Sequence, residues 1–185
     1  MIYLIGGRPR SGKSILRKRI LEKYKISGIS TDTLRYMLSE ADPLLGVHHT
    51  RTAKQNAPIM MPYIDKLIEH LIKYDEEDFV VEGAVLIPEL LSKYVSRKNI
   101  RCCYLGYSNL TTKEKLKATK EHERDNDWTK NYSMKEFKNF IKNSINKSKK
   151  EKKECEKYNI KYFDIDQNFD ESINKVIKYL FSKMD

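Results

Sequence analysis

Apolar positions along the chain alternate between short runs and stripes of helical period. Ile2 to Ile5 is a short apolar run closed by glycines, and beyond Lys13 the spacing of Leu16, Ile20, Leu21 and Tyr24 is that of one helix face. A second run, Ile26 to Thr31, stops at Asp32 and gives way to a helical stretch from Leu34 to Glu40. Residues 41–56 carry Pro43, Gly46 and two histidines with little periodicity, which predicts an irregular excursion. Ile59, Tyr63, Ile64, Leu67, Ile68, Leu71 and Ile72 then restore a helical stripe.

Phe79 to Val81 predicts a buried third strand ending at Glu82-Gly83, and Pro88 suits the first residue of a helix through Tyr94. Ile100 to Tyr107 is the fourth strand. Thr111-x-x-Glu114 and Ser133-x-x-Glu136 have the form of capping boxes, so helices begin there, the second running to about Tyr158. Between them lies a polar, irregular stretch from Glu121 to Tyr132. Ile160 to Ile165 is the fifth strand, and Asn168-Phe-Asp-Glu171 opens a last helix with Phe169, Ile173, Val176, Ile177, Leu180 and Phe181 on one face. Strands alternating with helices predict an α/β fold with a mostly parallel sheet covered on both sides. With 185 residues and no break in composition, residues 1–185 are expected to form one domain.

Composition narrows the functional classes only a little. No apolar run approaches the length of a bilayer span, and no secretory leader is apparent, so a cytoplasmic protein is expected, as a monomer or homodimer. Cys102 and Cys103 are adjacent in a strand and so point to opposite faces; with Cys155 they show no metal-ligand or disulfide spacing and read as reduced, buried thiols. The net charge of +10 is compatible with a polynucleotide partner, but lysines mixed with acids along the whole chain favour a solvated basic surface.

The decisive pattern is Gly7-Arg-Pro-Arg-Ser-Gly12-Lys13-Ser14, a match to G-x-x-x-x-G-K-[ST] that follows a predicted strand and opens a predicted helix. Glycines allow such a loop to turn its backbone N–H groups toward phosphate oxygens, and the helix N-terminus adds partial positive charge. Gly7, Arg10, Ser11, Gly12, Lys13, Ser14 and Ile15 are therefore the expected nucleotide-holding residues, with Lys13 on the β- and γ-phosphates and the Ser14 hydroxyl on Mg²⁺. ATP and magnesium are the implied cofactors. Arg8 and Arg10 either reach phosphate or point to solvent.

In such a sheet the ligand lies past the carboxyl ends of the strands, where Asp32 and Glu82 fall. Asp32 is the candidate base for an acceptor hydroxyl, against the plainer reading of a helix cap. Glu82, followed by Gly83, suits a carboxylate that holds Mg²⁺ through water or touches the acceptor. Arg35, one turn after Asp32, is placed to clamp an anionic acceptor. Arg124 is the only arginine from Cys102 onward, in a region that otherwise uses lysine for positive charge, which suits a lid arginine closing on the γ-phosphate. Trp128 is expected to anchor that stretch by packing, and His70 to be exposed. His48, His49, Arg51 and Lys54 cluster where an acceptor would be recognised.

Three segments together carry a resemblance. The opening Ile-Tyr-Leu-Ile-Gly-Gly-Arg-Pro-Arg-Ser-Gly-Lys-Ser, the Ile-Ser-Thr-Asp32-x-x-Arg35 segment and the Val-Val-Glu82-Gly-Ala-Val-Leu-Ile-Pro segment resemble the 2-phosphoglycerate kinase-like branch of small P-loop kinases. That branch is similar to shikimate kinases, chloramphenicol phosphotransferase and zeta toxins. The resemblance implies a three-layer P-loop NTPase fold with sheet order 2-3-1-4-5. It also implies a helical lid at about 111–132, an acceptor-side excursion at about 41–62, Asp32 on the acceptor side and Arg124 in the lid. Val85 stands where the family often has a histidine, which leaves the acceptor open. The expected activity is ATP- and Mg-dependent transfer of the γ-phosphate to a hydroxyl of a small metabolite, anionic or neutral. A nucleoside or nucleotide kinase, a kinase of RNA or DNA ends, and a non-catalytic nucleotide-dependent module stay open.

Overall fold

The structure, a computed structural model, describes residues 1–74, 77–121, 132–166 and 168–182. Its elements run β1 (Ile2–Gly7), α1 (Lys13–Tyr24), β2 (Ser27–Ser30), α2 (Thr31–Ala41), α3 (Ala53–Tyr74), β3 (Phe79–Gly83), α4 (Pro88–Leu91), β4 (Ile100–Gly106), α5 (Thr112–Glu121), α6 (Met134–Lys157), β5 (Lys161–Asp164) and α7 (Phe169–Leu180). Short 3-10 turns follow α2 at Pro43–Leu45 and α4 at Ser92–Tyr94. The five strands pair in parallel in the order β2-β3-β1-β4-β5, as the resemblance implied.

Alternation along the central strands divides the core into two layers, because successive side chains of a strand face opposite ways. Ile2, Leu4, Val81, Cys102 and Tyr104 face α3, α4 and Cys155 of α6. Tyr3, Ile5, Val80, Cys103 and Leu105 face Leu16 and Ile20 of α1 and Ile173, Val176, Ile177 and Leu180 of α7. The adjacent cysteines thus point to opposite layers, and all three thiols are free and buried. The expected caps are present. Ser133 and Glu136 form a reciprocal capping box at α6, Glu114 accepts from both the amide and the hydroxyl of Thr111, and Asn168 caps α7.

Two boundaries differ from the sequence reading. The helix expected from Leu34 begins at Thr31, because the Ser30 hydroxyl caps it by accepting from the Asp32 amide at 3.2 Å. The capping reading of Asp32 is thereby excluded: Asp32 lies inside the first turn. The irregular excursion ends at Ala53 rather than Asn56, and α3 runs through Pro58 and Pro62. Each proline removes one helix hydrogen bond. Both sit on the exposed side, where the freed carbonyls are open to solvent rather than sealed in the core. Arg124 and Trp128 lie outside the described residues. Among the described residues no helix is long and apolar enough to cross a membrane.

Candidate active site

The loop between β1 and α1 turns through left-handed backbone at Arg10 (φ 61°) and Gly12 (φ 91°). A side chain at Gly12 would lie 2.7 Å from the Phe169 ring, so only glycine lets α7 pack against the loop. Gly12 offers no capping side chain and the first turn of α1 carries no acid. The amides at this helix start therefore keep their affinity for an anion. Three successive loop carbonyls are gripped from outside. Lys13 Nζ donates to the Arg8 carbonyl at 2.9 Å, the Tyr107 hydroxyl to Pro9 at 2.9 Å, and Lys115 Nζ to Arg10 at 2.8 Å. Of the loop amides, Arg8 donates to the Leu105 carbonyl at 3.0 Å and Ser11 to the Arg8 carbonyl at 3.2 Å, so the amides that can meet a ligand are those nearer the start of α1. Ser11 is buried, Ile15 half-buried, and Ser14 exposed at the mouth.

Arg8 does not point to solvent. Its guanidinium meets Glu151 of α6 at 3.2 Å, with both side chains largely buried. Burial raises the Glu151 carboxyl above its usual range, opposed by Arg8 and by the Tyr104 hydroxyl. The ion pair ties the loop to the long helix that follows 122–131.

Past the carboxyl ends of β2 and β3, α2 abuts the end of β3. Ser30 pairs with Glu82 across the two strands, and Thr31 packs against Gly83 so closely that no side chain would fit there. This contact sets Asp32 one residue beyond the edge of the Glu82 site. Asp32 is mostly exposed and pairs with Arg35 at 3.4 Å. Glu82 is 2% exposed and meets Arg17 Nε at 3.6 Å, while Arg17 also donates to the Gly28 carbonyl at 3.2 Å. Burial lowers the pKa of the Lys13 ammonium, and Glu82 and Asp32 oppose that shift. Loop lysine and both acids thus share one field.

Ser11 Oγ, Thr31 Oγ1 and Glu82 Oε1 are buried without a hydrogen-bond partner. Buried polar atoms are nearly always satisfied in folded proteins, so unsatisfied oxygens on the loop, at the start of α2 and at the end of β3 fit a polar occupant, although Glu82 Oε1 also has Arg17 Nε at 3.6 Å. Among the described residues no group of three His, Cys, Asp or Glu side chains converges on a metal. A magnesium ion here would draw most of its ligands from nucleotide phosphate and water, with Ser14 supplying hard oxygen and Glu82 acting through water.

Several site residues carried no distinguishing sequence signal. Lys115 is one lysine among many, Tyr107 reads as a strand end, and Glu151 and Arg17 sit on helix faces without a motif. From the first turn of α3, the buried Asn56 side chain accepts from the His48 amide and donates to the carbonyls of His48 and Arg51. It holds a turn that presents His48, His49 and Arg51 to solvent. His70 is exposed, as expected.

No family model matches this sequence, and no curated protein is a significant match. Solved structures do match. The chain is similar to a shikimate kinase from Bacteroides thetaiotaomicron, with 14% identity over 97% of this chain and 98% of that one and a TM-score of 0.57. It is similar to a gluconokinase from Sinorhizobium meliloti 1021, with 16% identity over 97% and 94% and a TM-score of 0.52. A deoxyadenosine kinase from M. mycoides matches with 14% identity over 97% and 98% and a TM-score of 0.50. The fold is that of the small P-loop kinases. At these identities the comparison speaks for architecture alone, and the chemistry rests on the residues above.

Proposed function

We propose that this protein is an ATP- and magnesium-dependent phosphotransferase acting on a hydroxyl of a small metabolite. The observation that carries the reading is the phosphate loop with Lys13 buried at its base, acted on by the charges of Glu82, in β3, and Asp32, in the first turn of α2. The loop amides and Lys13 bind and neutralise the triphosphate. Magnesium, when bound, supplies further positive charge at the phosphates, held by Ser14 and by Glu82 through water. Asp32 accepts the acceptor's proton as the hydroxyl oxygen bonds to the γ-phosphorus and the bridging P–O bond to ADP breaks. Arg35, anchored on Asp32, is the group that would orient an anionic acceptor. Arg124 is proposed as the lid arginine on sequence grounds. Shikimate kinase and gluconokinase, two of the structural neighbours, are named for small-molecule acceptors, which favours that class over polynucleotide ends.

The test is ATP turnover with magnesium against a panel of sugars, sugar acids, nucleosides and oligonucleotides, with Asp32→Asn alongside. An acceptor that stimulates turnover in the wild type, with a loss of roughly 10²–10⁴-fold in Asp32→Asn, is the expected result. Tight ATP binding with no acceptor raising turnover above the variant's level would replace the enzyme reading with a nucleotide-dependent regulatory module.

A further inference from the structure

Lys115, which holds the Arg10 carbonyl of the phosphate loop, is also a buried cation. It projects from α5 into the wall of the phosphate loop with 6% of its surface exposed, its Nζ on the Arg10 carbonyl and 4.0 Å from the centre of the Tyr107 ring. A buried ammonium is normally neutralised by a carboxylate, because an isolated buried charge costs several kcal/mol. Among the described residues Lys115 has no carboxylate partner. The charges that face it are Arg10 of the loop and Lys13 of α1, both of the same sign. Beneath it lies the Tyr107 phenol, and α6, packed along α5, contributes Phe137, Ile141 and Ile145 to the apolar cluster that contains Tyr107. Lys115 is thus a buried cation beside two further cations, with no carboxylate next to it among the described residues.

We propose that Lys115 is a ligand of the bound polyphosphate, exchanging the Arg10 carbonyl for a phosphate oxygen, and that the anion supplies its counterion. The inference rests on the nucleotide reading of the loop and adds a second lysine, from a different helix, to the phosphate site. It also makes binding proton-linked. Burial, reinforced by Arg10 and Lys13, pushes the pKa of Lys115 down to about 7, so above that value the free protein carries it largely as the neutral amine. A phosphate oxygen favours the ammonium, so the Nζ lone pair takes a proton from solvent as the nucleotide binds. Affinity is full below about pH 7 and falls above it, by about tenfold per pH unit once Lys115 is neutral in the free protein.

The experiment is calorimetric titration of ATP with magnesium into the wild type, Lys115→Arg and Lys115→Met at pH 8. Buffers of different ionisation enthalpy convert heat into protons taken up. Phosphate monoesters lose their second proton near pH 6, so the ligand itself contributes little at that pH. The expected result is that wild-type binding takes up about 0.9 proton more than either variant. Lys115→Arg, always charged, should keep tight binding with a flatter pH profile, and Lys115→Met should bind at least tenfold more weakly at pH 7. Equal proton uptake in all three proteins, with ATP still binding, overturns the assignment of Lys115 and leaves the nucleotide site standing. Absence of any ATP binding in the wild type overturns the nucleotide reading itself and this assignment with it.

Discussion

Replacing Gly83 by alanine tests how the acceptor side is held together. A Cβ at Gly83 would lie 2.6 Å from Thr31 Cβ and 2.9 Å from its Cγ2, and nearer still to Oγ1. Rotating Thr31 does not relieve this, since its own Cβ is already too close and the residue is buried at 1% exposure. Ordinary contact begins at 3.4 Å, so β3 and the first turn of α2 must separate by about 0.8 Å, straining the Ser30–Glu82 rung. Overpacking of this kind costs about 1–3 kcal/mol. The steric origin is isolated by Thr31→Gly, which removes the three nearest atoms. Urea unfolding of both single variants and the double should show Gly83→Ala costing about 2 kcal/mol or more beside the native Thr31 and close to nothing in the Thr31→Gly background, a coupling well outside additivity. Because Asp32 follows Thr31, the same displacement should lower kcat by up to roughly 10²-fold in the folded variant. An equal cost of Gly83→Ala in both backgrounds would refute the account of this contact.

The Arg8–Glu151 pair makes a second test. Either Arg8→Met or Glu151→Gln strands a largely buried charge or its hydrogen-bonding partner and should cost about 2–4 kcal/mol, whereas Arg8→Met with Glu151→Leu should recover much of it. Additive losses in urea unfolding would count against the pairing. Asn56→Ala removes the bonds that hold the turn at 48–51 and should cost about 1–3 kcal/mol, with faster hydrogen exchange at the His48 amide as the direct readout. Unchanged exchange there would show that the turn holds itself. Stability should also depend on pH through Lys115. Its pKa falls from 10.5 in the unfolded chain to about 7 in the folded one, so the unfolded chain binds more protons between those values and stability rises with pH across that window. Lys115→Met should raise the melting temperature at pH 7 and flatten the rise, leaving the part due to Lys13; an identical profile in both proteins would contradict the desolvated state of this lysine.

What the sequence determined by itself was whatever local pattern controls. The apolar runs at Ile2, Phe79 and Ile100 could bury only as central parallel strands, and the Gly12-Lys13-Ser14 turn specified a phosphate loop wherever it followed a strand. The capping boxes at Thr111 and Ser133 were legible for the same reason, because a helix start is satisfied by residues within one turn. The start of α2 was misplaced by three residues, since Ser30 acts both as the last residue of β2 and as a cap, and periodicity does not show a doubled role. Long-range charge placement was decided only by the tertiary structure. Arg8 finds Glu151 from 143 residues away and Lys115 finds the Arg10 carbonyl from 105 away. In a chain this rich in lysine, side-chain type does not separate a buried cation from a solvated one. Only the packing of α5 and α6 against the loop withdraws water from Lys115 and Glu151, and that desolvation gives both residues their chemistry.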